Sequence, residues 1–233
     1  MDDDTPIWDL PSDHDVLAQY VSLAGSTLVD VGAGDGALVR FARRSGAEAI
    51  GVECGAAQLA KARGADPVNA DIYLDGVGQD LPLDDESADV VVMCYSMHHI
   101  PSELLATALQ EADRVLRTGG TLAVLEPIAT GGGHEVFKPI DDETAVRAAA
   151  QSALDRDLPA SLTELGEVRY TTSYSYADIA ELEQEVVDID PSRREFVDAA
   201  RDEVAQLFEK HGVPHDGRRW FDQPVVMRRF SKG

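Results

Sequence analysis

Residues 28–36 read Leu28-Val29-Asp30-Val31-Gly32-Ala33-Gly34-Asp35-Gly36, followed by Ala37. The apolar run Thr27–Val31 predicts a buried strand that ends in a glycine-rich turn. Ala37–Arg44 then predicts a helix, with Leu38, Phe41 and Ala42 at helical spacing. Glycines between a strand and a helix let a backbone approach a ligand closely, and the helix N-terminus offers unpaired N–H groups. The spacing itself is ambiguous. Gly32, Gly34 and Gly36 give GxGxG, while Gly32, Gly34 and Ala37 also satisfy the dinucleotide pattern GxGxxG/A.

Outward from this loop, the first half of the chain alternates strand and helix signals. Glu48–Val52 predicts a second strand, Ala56–Arg63 a second helix and Val68–Leu74 a weaker strand. Ala88–Cys94 is dense in valine, as a central parallel strand requires. Ser102 is expected to cap a helix with Glu103 in its first turn. That helix should run to about Leu116 and stop at Thr118-Gly119-Gly120, before a strand over Thr121–Glu126. Strands separated by helices imply an α/β fold with a doubly wound, mostly parallel sheet. The second half is less regular. Gly131-Gly132-Gly133 predicts a flexible turn, Glu143–Arg156, Ala177–Val187 and Ser192–His211 predict helices, and Val168–Tyr174 and Val225–Phe230 predict strands. A single domain over 1–233 is expected, with a core over 20–127 and a variable lid with the final strands over 128–233.

Glu53 sharpens the reading of the loop. It ends the second predicted strand, on the same sheet edge as the glycines, and its two oxygens suit a ribose diol. Asp30 precedes the loop and Asp35 lies inside it. Asp30 could hold the loop by accepting its N–H groups, or face a cationic ligand through water. Acidic groups here repel the pyrophosphate of NAD and attract the sulfonium and ammonium of S-adenosylmethionine (SAM).

Composition narrows the function classes. A hydrophobic content of 44% supports a sizeable core. A formal net charge of -23 disfavours nucleic acid and anionic lipid as partners. Cys54 and Cys94 form no CxxC pair, so neither a disulfide scaffold nor a zinc site is indicated. The acidic start MDDDTP is not the basic start of a secretory signal, and the apolar runs are too short to span a bilayer. A cytoplasmic protein without metal is expected, acting on a small molecule; self-association as a homodimer stays open.

Four ordered segments resemble class I SAM-dependent methyltransferases of the type-11 group. They are LVDVGAGDG (28–36), GVECGAAQLAKAR (51–63), QDLPLDDESADVVVMCYSMHHIP (79–101) and EADRVLRTGGTLAVLEP (111–127). The resemblance covers about residues 20–127 and implies a Rossmann-like, seven-stranded sheet flanked by helices, with Val225–Phe230 antiparallel. It implies SAM as cofactor and S-adenosyl-L-homocysteine (SAH) as product. Gly32, Gly34 and Gly36 would then line the methionyl part and ribose, and Glu53 would take the ribose hydroxyls. Gln79, Asp80 and Leu81 would face the adenine, Cys94 would lie near the methionyl chain, and Tyr20 would cover the cofactor. One position departs from the pattern: Val77 stands where an acid often precedes the leucine of the LP pair.

His98 and His99 end the fourth strand near the expected methyl position, where an imidazole titrating near neutrality could take a proton. Glu126 ends the fifth strand on the same edge. His134, Tyr170, Tyr174 and Tyr176 could shape a pocket in the lid or simply pack, and Arg228 and Arg229 could meet an anionic substrate or solvent. A nicotinamide-dependent oxidoreductase and a non-catalytic SAM-binding module are the competing readings.

So large a negative charge opposes compaction by self-repulsion, and salt screens it. Raising KCl from about 0.1 M to about 2 M is expected to raise Tm by several degrees. A Tm that stays flat or falls would show that the acidic charge does not strain the folded chain.

Overall fold

The computed structural model describes residues 5–189 and 191–233. In chain order its helices and strands are α1 (Asp13–Tyr20), β1 (Thr27–Val31), α2 (Ala37–Arg44), β2 (Glu48–Glu53), α3 (Ala56–Ala65), β3 (Tyr73–Asp75), β4 (Ala88–Cys94), α4 (Leu105–Val115) and β5 (Leu116–Pro127). There follow α5 (Gly131–Phe137), α6 (Thr144–Arg156), β6 (Leu162–Tyr176), α7 (Ile179–Ile189), α8 (Arg194–His211), β7 (Val213–His215) and β8 (Arg218–Lys232). The sheet order is β3-β2-β1-β4-β5-β8-β6. The pairs β1–β2, β1–β4, β2–β3 and β4–β5 are parallel. The direction of winding therefore reverses between β1 and β4, which is where an open α/β sheet offers a crevice.

The chain divides into two compact units. The larger comprises 14–126, 146–168 and 226–233; the smaller comprises the described part of Met1–Asp13 with 127–145 and 169–225. The larger unit packs Val29, Val91, Met93, Leu109, Leu122 and Phe230 in one core. Each such side chain, taken from water to full burial, stabilises the fold by about 1.5–3 kcal/mol. β4 is buried on both faces, so its run of valines follows from position rather than from propensity. Asp89 is the polar exception in β4. Its carboxylate accepts the Thr27 N–H at 2.8 Å and Arg117 Nη1 at 2.8 Å, and both hold its pKa below the usual range. It thus fastens the start of β1 to β4 and β5. The smaller unit has its own core, in which Leu182, Val186, Val197, Val204, Phe208 and Phe221 pack together.

Several sequence expectations need correction. Val68 is exposed in a 3-10 turn over Pro67–Ile72, so the strand expected from Val68 shrinks to β3. Ser102 makes no side-chain cap; Ser102–Leu104 is a 3-10 turn and the α-helix begins at Leu105. Gly119 and Gly120 do not stop that helix, which passes directly into β5 at Leu116. They form an irregularity inside the strand: Ala88 pairs with Leu116 but Val90 with Thr121. Gly119 has φ +82°, and a Cβ on Gly120 would lie 3.0 Å from the Asp89 carbonyl. The triple glycine is no flexible turn either. It opens α5, with the Gly132 N–H donated to Asp222 Oδ1 at 2.8 Å. The expected seven strands gain an eighth, because β7 pairs antiparallel with β8 across Asp216-Gly217. Both turn residues have positive φ, as a tight hairpin of the primed type requires.

Gly36 and Gly25 share a left-handed backbone, φ +79° and +78°, but not surroundings. A Cβ on Gly36 would lie 2.5 Å from Tyr73 Cε1, whereas one on Gly25 meets nothing within 4 Å. Gly25→Ala is expected to cost about 1 kcal/mol from backbone alone. Gly36→Ala should cost about 1–3 kcal/mol more, through overlap with the ring. Urea titration of both variants checks this; equal losses would contradict it.

Candidate functional site

The glycine loop joins β1 to α2 at the carboxyl rim of the sheet. Gly32 and Ala33 donate their N–H groups to the Val52 carbonyl at 2.8 and 3.0 Å, so the loop is tied to β2. The three glycines then do three different things. Gly32, at φ +77°, is pressed against the β4 exit: a Cβ there would lie 2.4 Å from Ser96 Cβ. Gly34, at φ +55°, has nothing within 4 Å of its Cβ position and is the open face of the loop. Gly36, expected to line a ligand, instead packs on Tyr73 and starts α2.

Glu53 closes the loop. Its Oε2 accepts the Gly34 N–H at 2.8 Å and its Oε1 accepts the Gly55 N–H at 2.6 Å. A carboxylate has about four acceptor positions, so each oxygen keeps one for a ligand hydroxyl. Asp30 lies beneath, at the end of β1 and almost wholly buried. No hydrogen bond to its carboxylate is found among the described residues, so it does not hold the loop in the way the sequence allowed. Burial, then the nearby charges of Glu53 and Asp35, push its pKa up to about 7. Asp35 points outward by comparison: it is exposed, accepts the Ala37 N–H at 3.0 Å and pairs with Arg40.

The turn after β3 lies beside this loop. A Cβ on Gly78 would lie 2.9 Å from Ile100 Cδ1 and 3.2 Å from Val31 Cγ1, so the turn sits against the ends of β1 and β4. Gln79 is half-buried and Asp80 exposed. Leu81, expected at the ligand, is buried in the core. Its N–H goes to Glu111 Oε2 at 2.9 Å and its carbonyl accepts from Arg114.

Cys94 ends β4 half-buried, in register with Leu125. The next residue, Tyr95, has φ +54°, a conformation that costs a non-glycine residue energy and turns the chain sharply. The turn lets Ser96 Oγ donate to the Val31 carbonyl at 2.5 Å. It also brings Met97–His99, a 3-10 turn, over Glu126 of β5. Glu126 is fully buried, and its Oε1 accepts the Met97 and His98 N–H groups at 3.0 and 3.4 Å. Its Oε2 lies 2.5 Å from His98 Nδ1. His98 is thus buried and held, while His99 is exposed, with its ring centroid 4.1 Å from that of His98.

Other expected residues lie elsewhere. Tyr20 stands under Arg229, whose guanidinium carbon is 4.9 Å from the ring centroid. That stretch of β8 also carries Lys232, which donates to the Leu116 carbonyl at the start of β5. Arg228 is buried in ion pairs with Asp155 and Glu164. Tyr170 donates to Asp13 Oδ1 at 2.6 Å, and Tyr174 and Tyr176 stack within the aromatic core around Phe221. His134 is buried beside Thr144, so these residues pack. Sequence reasoning missed Gly55, Gly78, Tyr95 and Ser96. Only Gly55, two residues after a strand-end acid, carried a readable signal.

Comparison with known proteins adds four findings. Residues 29–124 match the family model described as a methyltransferase domain. A demethylmenaquinone methyltransferase of Tropheryma whipplei is 34% identical over 103 residues, which is 44% of this chain and 42% of that one. The chain thus aligns with less than half of that relative's length. A solved methyltransferase structure from Bacillus halodurans has TM-score 0.63 at 20% identity, covering 95% of this chain and 99% of that one. The geranyl diphosphate C-methyltransferase of Streptomyces coelicolor, solved with Mg2+, geranyl diphosphate and SAH, has TM-score 0.56 at 16% identity, covering 94% and 76%. At these identities the two structures speak for the Rossmann-like fold. Among the described residues no helix is long and apolar enough to cross a membrane.

Asp30 has a measurable consequence. A carboxyl raised from 3.8 to about 7 stabilises the folded state while it is protonated. That contribution is full below the unfolded value and is lost as pH rises through about 7. Asp30→Asn is therefore expected to raise Tm by several degrees at about pH 8 and by much less at about pH 5. Thermal melts across this range check it; a gain independent of pH would mean that Asp30 does not titrate as a buried acid.

Proposed function

We propose that the chain is a class I SAM-dependent methyltransferase, which transfers a methyl group from SAM to a small-molecule acceptor; the match of residues 29–124 to a methyltransferase-domain model supports this. The observation that carries this reading is the Glu53 clamp: a carboxylate that fixes Gly34 and Gly55 and still has acceptor positions for a ribose diol. The open face at Gly34 fits a ligand that must lie against backbone. The buried Asp30 fits a cationic one, because a nearby positive charge favours its ionised form. A pyrophosphate in the same place would meet Asp30, Asp35 and Glu53 together, which argues against a dinucleotide.

When bound, SAM supplies a methyl group already activated on a sulfonium. The chain's own residues bind, orient and handle the proton. Glu53 and the Gly34 backbone hold the nucleoside, and Asp30 complements its positive end. His98 is the proposed base. Its Nδ1–H donates to Glu126, which fixes the tautomer that carries the lone pair on Nε2. Nε2 takes the proton of the acceptor as the methyl group arrives. Glu126 acts through His98 and is a positioning residue. The chain works as one methyltransferase domain in the cytoplasm, with a variable lid and the final strands over 128–233 and acceptor choice following the lid. The net charge of -23 speaks against nucleic acid as acceptor.

SAH is expected to raise Tm, and NAD to leave it unchanged. The opposite result would replace methyl transfer with a nicotinamide chemistry. With labelled SAM and a metabolite extract, His98→Gln should lower turnover about 100-fold or more while SAH Kd changes less than about threefold. Turnover that survives His98→Gln would remove the base from the account.

A further inference from the structure

Residues 7–13 are fastened to the smaller unit by polar and ring contacts, and none of their side chains is fully buried. Ile7–Asp9 form a 3-10 turn between Pro6 and Pro11. Ser173 Oγ of β6 donates to the Ile7 carbonyl at 2.6 Å, and the Tyr170 hydroxyl of β6 donates to Asp13 Oδ1 at 2.6 Å. Between these two points the Trp8 indole lies flat on His215 of β7, with ring centroids 3.8 Å apart and planes 7° from parallel. Beyond Asp13 the chain passes through α1 into the larger unit. A segment without a buried apolar anchor has low local stability, so one contact can decide whether it stays down.

We propose that residues 7–13 are a pH-sensitive strap: the Trp8–His215 stack clips them onto the hairpin of β7 and β8, tightly when the His215 ring is charged and loosely when it is neutral. An imidazole changes charge within the range from about pH 5 to about pH 8. A cation over an indole face is attracted by the ring quadrupole, and a neutral ring is not. Asp216 Oδ2, 3.4 Å from His215 Nε2, also favours the charged ring. Arg218 lies opposite His215 in the hairpin register and opposes it, but its own charge is met by Glu181. Asp9, exposed and next to Trp8, brings a negative charge from the strap side. Docking therefore strengthens as pH falls and weakens as pH rises. His14, the next histidine along the chain, stacks on Phe41 in the larger unit.

Acrylamide quenching of Trp8 tests this. The chain's two tryptophans are Trp8 and Trp220, so subtracting the emission of Trp8→Phe from that of the wild-type protein isolates the reporter. Trp8 is expected to be about two- to fourfold less accessible to the quencher at about pH 5.5 than at about pH 8. His215→Phe keeps a ring under the indole but cannot titrate, and should make the accessibility the same at both pH values. His215→Gln removes the ring, and should leave Trp8 accessible at both. Wild-type accessibility that does not change with pH overturns the proposal. So does a pH response that survives His215→Phe, which would place the titrating group elsewhere, or a His215→Gln variant in which Trp8 stays as shielded as in the wild type.

Discussion

Two backbone N–H groups converge on one carboxylate at the rim of this sheet. Gly34 reaches Glu53 Oε2 from the loop after β1, and Gly55 reaches Oε1 from the turn before α3. Hydrogen bonds from N–H to an ionised acceptor are stronger than neutral ones, so this small arrangement fixes two chain reversals at once. The left-handed backbone at Gly32, Gly34 and Gly36 costs little because glycine carries no Cβ, but it still has to be held in a single state. Glu53 does the holding from the β2 side, together with the Val52 carbonyl. Without it, Gly34 would lose its partner at the one point where the loop faces open space.

The remainder of the rim is built onto that loop. Ser96 reaches from the β4 exit to Val31, and Gly32 leaves room for its Cβ. The same exit, bent by the left-handed Tyr95, delivers His98 to the buried Glu126. Loop, β4 exit and β5 end are therefore joined by hydrogen bonds and close packing. Two acids remain inside this set with opposite duties. Glu126 is satisfied by two amides and an imidazole. Asp30 has no such partners among the described residues, and burial drives its pKa upward. A buried acid without partners is a cost in the empty protein, and a cationic ligand is what would relieve it.

β1 and β4 were legible because both are buried on both faces and stand in the sequence as apolar runs. The glycine loop was legible for a different reason, since closely spaced glycines between a strand and a helix mark a turn with left-handed backbone. At Gly36 the absent Cβ makes room for Tyr73, a packing demand that spacing alone does not reveal. Gly119 and Gly120 look like a helix stop in sequence, yet they serve a strand irregularity opposite Asp89, which depends on a pairing register invisible locally. The Asp216-Gly217 hairpin, by contrast, was present in the sequence as a turn signal and was passed over.

The central claim is that the Glu53 carboxylate both shapes the loop and grips the nucleoside. Calorimetry of SAH binding to Glu53→Gln tests it most directly. The amide keeps the size of the side chain but sets an amino group against a backbone N–H, so one clamp bond is lost and the negative charge that accepts the ribose hydroxyls is removed. The account predicts that SAH affinity falls about 100-fold or more while the variant stays folded by circular dichroism. Binding within about threefold of the wild-type protein would contradict it, and would mean that the loop and the nucleoside are held by something other than Glu53.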